Sequence, residues 1–298
     1  IETAKAVQIP NDQQILHILN QEFIIDGQED VREPLGMSGV RLEVKVHIVT
    51  GAVSSAQNII KCVRRCGLEV RDLILQPLAS AMAVVSDDEK DLGVCLVDIG
   101  GGTTDLAVFS QGAIRHTAVI AIAGDQITAD IGIALRTSTQ DAEEIKLRYG
   151  VALQQLADPE EMLEVPGVGE RPATSLSRQT LAGFIQPRVE EIFQKVQDEL
   201  VRSGYARLLR AGVVLTGGTA QMPGMTQLGE EIFHNTVKVG TPHYAGNLRD
   251  FVKNPRYASA MGLLLEGVAQ KQRGQKDQGP LTMGQAVTRM RAWFARNL

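Results

Sequence analysis

The chain has 298 residues, 44% of them hydrophobic and 22% charged, which is the make-up of a soluble globular protein of about two domains. A formal net charge of −5 gives no bulk reason to bind nucleic acid, and 4% aromatic content leaves little for base-stacking platforms. No secretory signal opens the chain, its three cysteines are not a disulfide framework, and no apolar run approaches the roughly 20 residues of a membrane span, so a reducing compartment is expected.

Along the chain, Ile15 to Leu19 and Phe23 to Ile25 read as short strands. Val40, Leu42, Val44, Val46 and Ile48 alternate with polar residues, as in a half-buried strand. A helix follows, capped by Ser54 or Ser55, striped by Ala56, Ile59, Ile60 and Val63 and stopped at Gly67. Cys62 and Cys66 share one of its faces without a neighbouring His or second Cys pair, so a structural role is expected. Leu73 to Leu75 reads as a strand, Leu78 to Val85 as a helix and Asp87-Asp88-Glu89 as a turn.

Val94 to Val97 is continuously apolar, as in a strand covered on both faces. Leu106 to Phe109 and Ala113 to Ile122 complete an antiparallel meander. Residues 123 to 208 are mostly helical in pattern, with an apolar stripe through Ala182, Ile185, Val189, Ile192 and Val196 and a looser polar stretch from Pro159 to Ser177. Val213 to Leu215 is a strand, and Met225 to Phe233 and Tyr257 to Leu265 are helices. Residues 270 to 280 have almost nothing to bury and read as a linker.

Two glycine turns carry the chemistry. Asp98 ends a buried strand, and Gly100, Gly101 and Gly102 follow, then Thr103, Thr104 and Asp105. Without Cβ atoms, backbone N–H groups approach an anion closely, and the two threonines add hydroxyls. Asp98 can hold Mg2+, directly or through water, beside phosphates that no Lys or Arg of the loop balances. A bare glycine triplet would also suit a plain hairpin; the flanking Asp98, Thr103 and Asp105 favour phosphate. The second turn, Gly217-Gly218-Thr219, lacks the basic residue of a P-loop and the spacing of a dinucleotide site. It suits contact with a base or ribose, or an ordinary strand–helix turn.

Taken as a helix, the last segment places Met283, Val287, Met290, Trp293, Phe294 and Leu298 on one face, with Arg289 and Arg296 on one flank and Arg291 on the other. That is the pattern of an interfacial membrane helix. A helix docked on the protein's own core has the same pattern; the polar stretch before it favours the membrane.

Together these residues resemble the actin-like ATPase superfamily, an α/β fold of ribonuclease-H-like architecture. Asp98 to Asp105 looks like its second phosphate motif and Val213 to Thr219 like its adenosine motif. Gln76-Pro77-Leu78-Ala79-Ser80 and Tyr257-Ala258-Ser259-Ala260-Met261-Gly262 look like its two connecting helices. Within the superfamily, Pro34 to Arg41, Cys95 to Thr103 and Arg178 to Ala182 are similar to the bacterial cell division family FtsA, and the likeness runs essentially from end to end.

The resemblance implies a protein that binds ATP and Mg2+, self-assembles, and tethers FtsZ filaments to the inner face of the cytoplasmic membrane at the division site, among other division proteins. It implies that Glu143 and Lys146, in a segment like that which reaches ribose and adenine, contact the nucleoside. Gln76 falls where relatives place a water-orienting residue, and at most slow hydrolysis is expected, with nucleotide acting as an assembly switch. The implied organisation is the latter part of a small assembly subdomain (1–50), the end of the first large lobe (51–90), the second large lobe (91–122 and 209–268), a helical subdomain taking the FtsZ tail (123–208), a flexible linker (269–282) and the membrane helix (283–298). Relatives open with a first phosphate loop, and no second strand–Asp–x–Gly turn occurs in the first 90 residues, so a family member lacking its beginning is expected. A soluble actin-like ATPase of chaperone or pilus-assembly type is the alternative.

Overall fold

A computed structural model describes residues 7–276 of the chain, except 170, 245, 247 and 248. The predicted helix at 283–298, with all its proposed membrane residues, therefore lies outside the described residues, as do residues 1–6.

Strands β1 (Gln13–Ile25), β2 (Gln28–Val31) and β3 (Leu42–Ala52) form an antiparallel sheet in the order β2-β1-β3. The two expected strands at 15–19 and 23–25 are one, because shifts of register at Ile15/His17 and Asn20/Glu22 break the alternation that marks a strand in sequence. Asp26 and Gly27 close the β1–β2 hairpin, both at positive φ (50° and 88°), the pattern of a type I′ turn. Helix α1 (Val53–Arg65) follows.

Leu73 to Leu75 is not a strand; it is an unpaired segment leading into helix α2 (Gln76–Val84). The acidic turn is the start of a short helix, α3 (Asp87–Leu92), held by a reciprocal Ser86–Glu89 capping box.

The main sheet has five strands, in the order 237–239, 213–216, 94–99, 104–110 and 113–120. Strands β4 (Val94–Ile99), β5 (Thr104–Ser110) and β6 (Ala113–Ile120) form the antiparallel meander; β9 (Val213–Thr216) and β10 (Val237–Val239) add in parallel beside β4. Every residue of β4 is buried, because helices cover both faces. On one side Cys95, Val97 and Ile99 pack with helices α4 (Gly124–Leu135), α6 (Arg178–Ser203) and α7 (Met225–Phe233). On the other, Leu96, Ala107 and Val214 pack with α2 and with α9 (Ala258–Lys276). Burial pushes the Cys95 thiol up to about 12, so it is an inert core residue.

Helix α5 (Thr139–Tyr149) packs on α4, and the looser stretch before α6 holds a small hairpin, β7 (Met162–Val165) and β8 (Thr174–Ser177). A further short helix, α8 (Arg249–Val252), precedes α9. Helix α9 runs through Lys276, so the first part of the expected linker is helical; Gln, Lys and Arg are good helix formers.

Polar contacts seat the small sheet on the body. Gln21 Nε2 donates to Ile114 O and Arg115 O, both at 3.0 Å. His17 Nε2 accepts from the Leu75 N–H at 3.0 Å, and His47 Nε2 lies 2.9 Å from Thr117 Oγ1. Burial lowers the His17 pKa below its ordinary 6.5 although Asp72 opposes it; burial, then the nearby His116, lowers that of His47. With folded pKa values below the unfolded ones, this stabilisation is complete above pH 6.5 and is lost as the pH falls from there toward the folded values. Thermal melts from pH 8 to pH 5.5 should show the melting temperature falling below about pH 6.5, with a distinctly flatter profile in the His17→Gln/His47→Gln variant. Equal slopes would mean that neither histidine holds the seat.

Candidate functional site

Strands β4 and β9 lie side by side and parallel, with Asp98 opposite Thr216. Each ends in one of the glycine turns, so two segments far apart in sequence emerge together at the carboxyl ends of parallel strands. In open α/β sheets that is where ligands collect.

The first turn is the four-residue loop of the β4–β5 hairpin, closed by Gly100 N donating to Thr103 O at 2.9 Å. The hairpin and anion-loop readings of this turn are thus compatible. The start of α4 packs on it: Gly124 N donates to Gly100 O and Asp125 N to Gly101 O, at 3.1 and 2.8 Å. Those carbonyls are occupied, whereas the N–H groups of exposed Gly101 and Gly102 make no backbone hydrogen bond among the described residues. That leaves donors for an anion at the tip. Thr219 Oγ1 donates to Gly100 O at 2.8 Å and ties the two turns to each other.

A cavity of about 500 Å³ opens onto both turns, within the range of small-ligand sites. Of the predicted residues, Gly100, Gly101, Glu143, Lys146, Gly218 and Thr219 line it. Asp125, Leu147, Met222 and Arg256 also line it and were not anticipated. Arg256 and Asp125 had local signals: each follows directly on a Pro or Gly that starts a helix beside a turn. Leu147 and Met222 had none, since an apolar residue on a cavity wall reads in sequence like any core position.

Lys146 is 8% exposed, and its Nζ lies 2.6 Å from Glu143 Oε2, 2.7 Å from Thr128 Oγ1 and 3.1 Å from Gly124 O. Its three donors are therefore spent within the protein. Burial works to raise the Glu143 pKa, but hydrogen bonds from Lys146 and Thr128 prevail and hold it below the ordinary value. The pair is an ionised, charge-balanced wall with one Glu143 oxygen left over.

The threonines behave differently from expectation. Thr104 is wholly buried and donates to Ile122 O at 2.7 Å; Thr103 Oγ1 donates to Asp105 Oδ2 at 2.9 Å. Strand alternation turns Thr104 into the core, where a hydroxyl must find an internal partner. Gln76, Asp98, Gly102, Thr103, Thr104 and Gly217 are not on the cavity wall. Asp98 lies against Gly217, the neighbour of Gly218 on the wall: a Cβ on Gly217 would lie 2.5 Å from Asp98 Oδ1 and 2.4 Å from Ile99 O.

Asp98 is 2% exposed, and its Oδ2 accepts from Ser80 Oγ at 2.6 Å, Ser259 Oγ at 3.2 Å and Gln76 Nε2 at 3.3 Å. Asp105 is opposite it in the β4–β5 register. Burial raises the Asp105 pKa; the Thr103 hydrogen bond opposes this and the charge of Asp98 adds to it. Among the described residues neither carboxylate makes an ion pair. Two adjacent buried carboxylates with only neutral donors fit a hard divalent cation, and Mg2+ characteristically takes one or two carboxylates together with phosphate oxygens. The free N–H groups of the glycine tip fit the phosphates, and the cavity between the turns fits the rest of a nucleotide.

Residues 95–262 match the family model described as "Cell division protein FtsA", and residues 1–50 match "SHS2 domain inserted in FTSA". The chain belongs to the FtsA family. It is 60% identical over 274 residues to the cell division protein FtsA of Pseudomonas aeruginosa, an alignment covering 92% of this chain and 66% of that protein. It is 49% identical over 303 residues to the FtsA of Neisseria meningitidis, covering 99% of this chain and 72% of the relative. The chain thus spans about two thirds to three quarters of the length of these FtsA proteins. Its fold is actin-like: the crystal structure of MreB5 of Spiroplasma citri bound to ADP superimposes with a TM-score of 0.60 at 18% identity, covering 76% of this chain and 68% of that one.

Proposed function

We propose that this FtsA-family protein binds ATP with Mg2+ between its two glycine turns. The nucleotide state would set its self-assembly and its tethering of FtsZ filaments to the inner face of the cytoplasmic membrane at the division site. The observation that carries the nucleotide part is the meeting of the turns at the ends of parallel β4 and β9 beside one cavity, with Asp98 and Asp105 paired in the β4–β5 register at the base of the first turn. In this reading the N–H groups of Gly101 and Gly102 hold phosphate oxygens, and Asp98 and Asp105 hold Mg2+ directly or through water. Gly218 lies against the nucleoside, and the remaining oxygen of Glu143 accepts from a ribose hydroxyl. Bound Mg2+ would supply the positive charge that the phosphates need. With its amide already on Asp98, Gln76 supports slow hydrolysis at most.

The membrane part rests on the amphipathic pattern of residues 283–298 and on membership of the family. The FtsZ tail is assigned to residues 123 to 208 by the same resemblance, and the division of the chain into subdomains follows it as well.

Two measurements on the full chain test this. Equilibrium binding of a fluorescent ATP analogue should require Mg2+ and should weaken at least about tenfold in Asp98→Asn, which keeps the shape and removes the charge. Co-sedimentation with vesicles containing anionic lipid should be lost in Trp293→Glu. Binding indifferent to Mg2+, or a Trp293→Glu chain that still sediments, would overturn the corresponding half.

A further inference from the structure

We infer that Ser80 and Ser259 are positioning residues for the site carboxylate: they fix which oxygen of Asp98 meets the ligand and link it to the crossing of α2 and α9. The inference rests on the magnesium–nucleotide reading above.

Helix α2 is mostly apolar, with Ala79, Ala81, Ala83 and Val84 buried. A hydroxyl in that row costs helix propensity and must be satisfied. Ser80 is wholly buried, and its Oγ lies 2.6 Å from Asp98 Oδ2 and 2.8 Å from Ser259 Oγ. Ser259, in the first turn of α9, is itself 3.2 Å from the same oxygen. Both hydroxyls and the Gln76 amide converge on Oδ2, whereas Oδ1 is the oxygen beside the Gly217 backbone. A buried carboxylate held by neutral donors on one oxygen keeps the other oriented for a cation.

The same pair bridges two helices beside a close backbone contact. A Cβ on Gly262 would lie 1.7 Å from Ala79 O, so α9 and α2 touch backbone to backbone one turn beyond Ser259. Helices so close cannot slide or separate without moving one serine relative to the other. The orientation of Asp98, and with it cation affinity, is therefore sensitive to how the two helices cross.

The test is the Mg2+ concentration giving half-maximal binding of a fluorescent ADP analogue to the full chain, with affinity in EDTA measured alongside. Ser80→Ala and Ser259→Ala should each need about tenfold more Mg2+, the loss of one charge-assisted hydrogen bond, with affinity in EDTA unchanged. Ser259→Thr, which keeps the hydroxyl, should behave as wild type. Should Ser80→Ala fail to fold, the half-buried Ser259 pair carries the comparison alone. A wild-type chain without Mg2+-dependent binding would sink the underlying nucleotide reading. A normal wild type with unshifted alanine variants, or variants equally weakened in EDTA, would overturn this inference alone.

Discussion

Gly262→Ala is expected to be among the most destabilising single-methyl additions in this chain. The new Cβ would stand 1.7 Å from Ala79 O, 2.3 Å from Ala79 C and 2.9 Å from Ala79 Cα, all backbone atoms of α2. No side chain can rotate out of the way, so α9 must move off α2, and the packing of Ala81 and Val84 with Ala258 and Met261 loosens with it. Overpacking typically costs about 1–3 kcal/mol, and a backbone obstacle puts this case at the upper end. At about 2–4 °C per kcal/mol for a domain of this class, the melting temperature should fall by roughly 6–12 °C. Gly267→Ala on the same helix is the control: nothing lies within 4 Å of its added Cβ, so helix propensity should make it neutral or stabilising by up to about 1 kcal/mol. Thermal unfolding of the two variants decides the matter, and equal melting temperatures would show that the α2–α9 contact is not tight in solution.

Legibility in the sequence followed how local each determinant is. Strands β4 and β5 were readable because a strand covered on both faces is a continuous apolar run, and α7 matched its expected bounds because its apolar spacing and flanking turns are local. The two glycine turns were readable as turns at strand ends, and the structure brings both to one cavity. What escaped depends on partners distant in the chain. The bulges that merge two apparent strands into β1 are set by pairing with β3. The hydroxyl of Thr104 looked available to a ligand but bonds Ile122 O, and that of Thr219 bonds Gly100 O, 119 residues away in sequence. Lys146, expected to contact the nucleoside, is tied up in a closed ion pair with Glu143. His17, which has no ligand-like spacing, finds its partner in Leu75 N only once the small sheet docks. The Asp26-Gly27 turn and the Ser86–Glu89 capping box, by contrast, are local signals present in the sequence.

The second glycine turn offers a way to separate binding from folding, because its two glycines are glycine for different reasons. Gly217 has φ +89°, and a Cβ there would strike Ile99 O at 2.4 Å and Asp98 Oδ1 at 2.5 Å. Gly217→Ala should therefore lower stability by about 1–3 kcal/mol, whatever the site binds. Gly218 has φ −62° and ψ −40°, which any residue adopts, and nothing lies within 4 Å of its added Cβ. The fold alone does not require glycine at 218, and the position faces the cavity. Gly218→Ala should leave the melting temperature of the ligand-free protein within the scatter of a surface change, about 0.5 kcal/mol. If the nucleoside lies against the turn, the same methyl occupies its place, and affinity for an ATP analogue should fall about tenfold or more. A Gly218→Ala chain that melts and binds like wild type would move the nucleoside away from this turn; one that melts normally and binds poorly would mean that this glycine is required by the ligand.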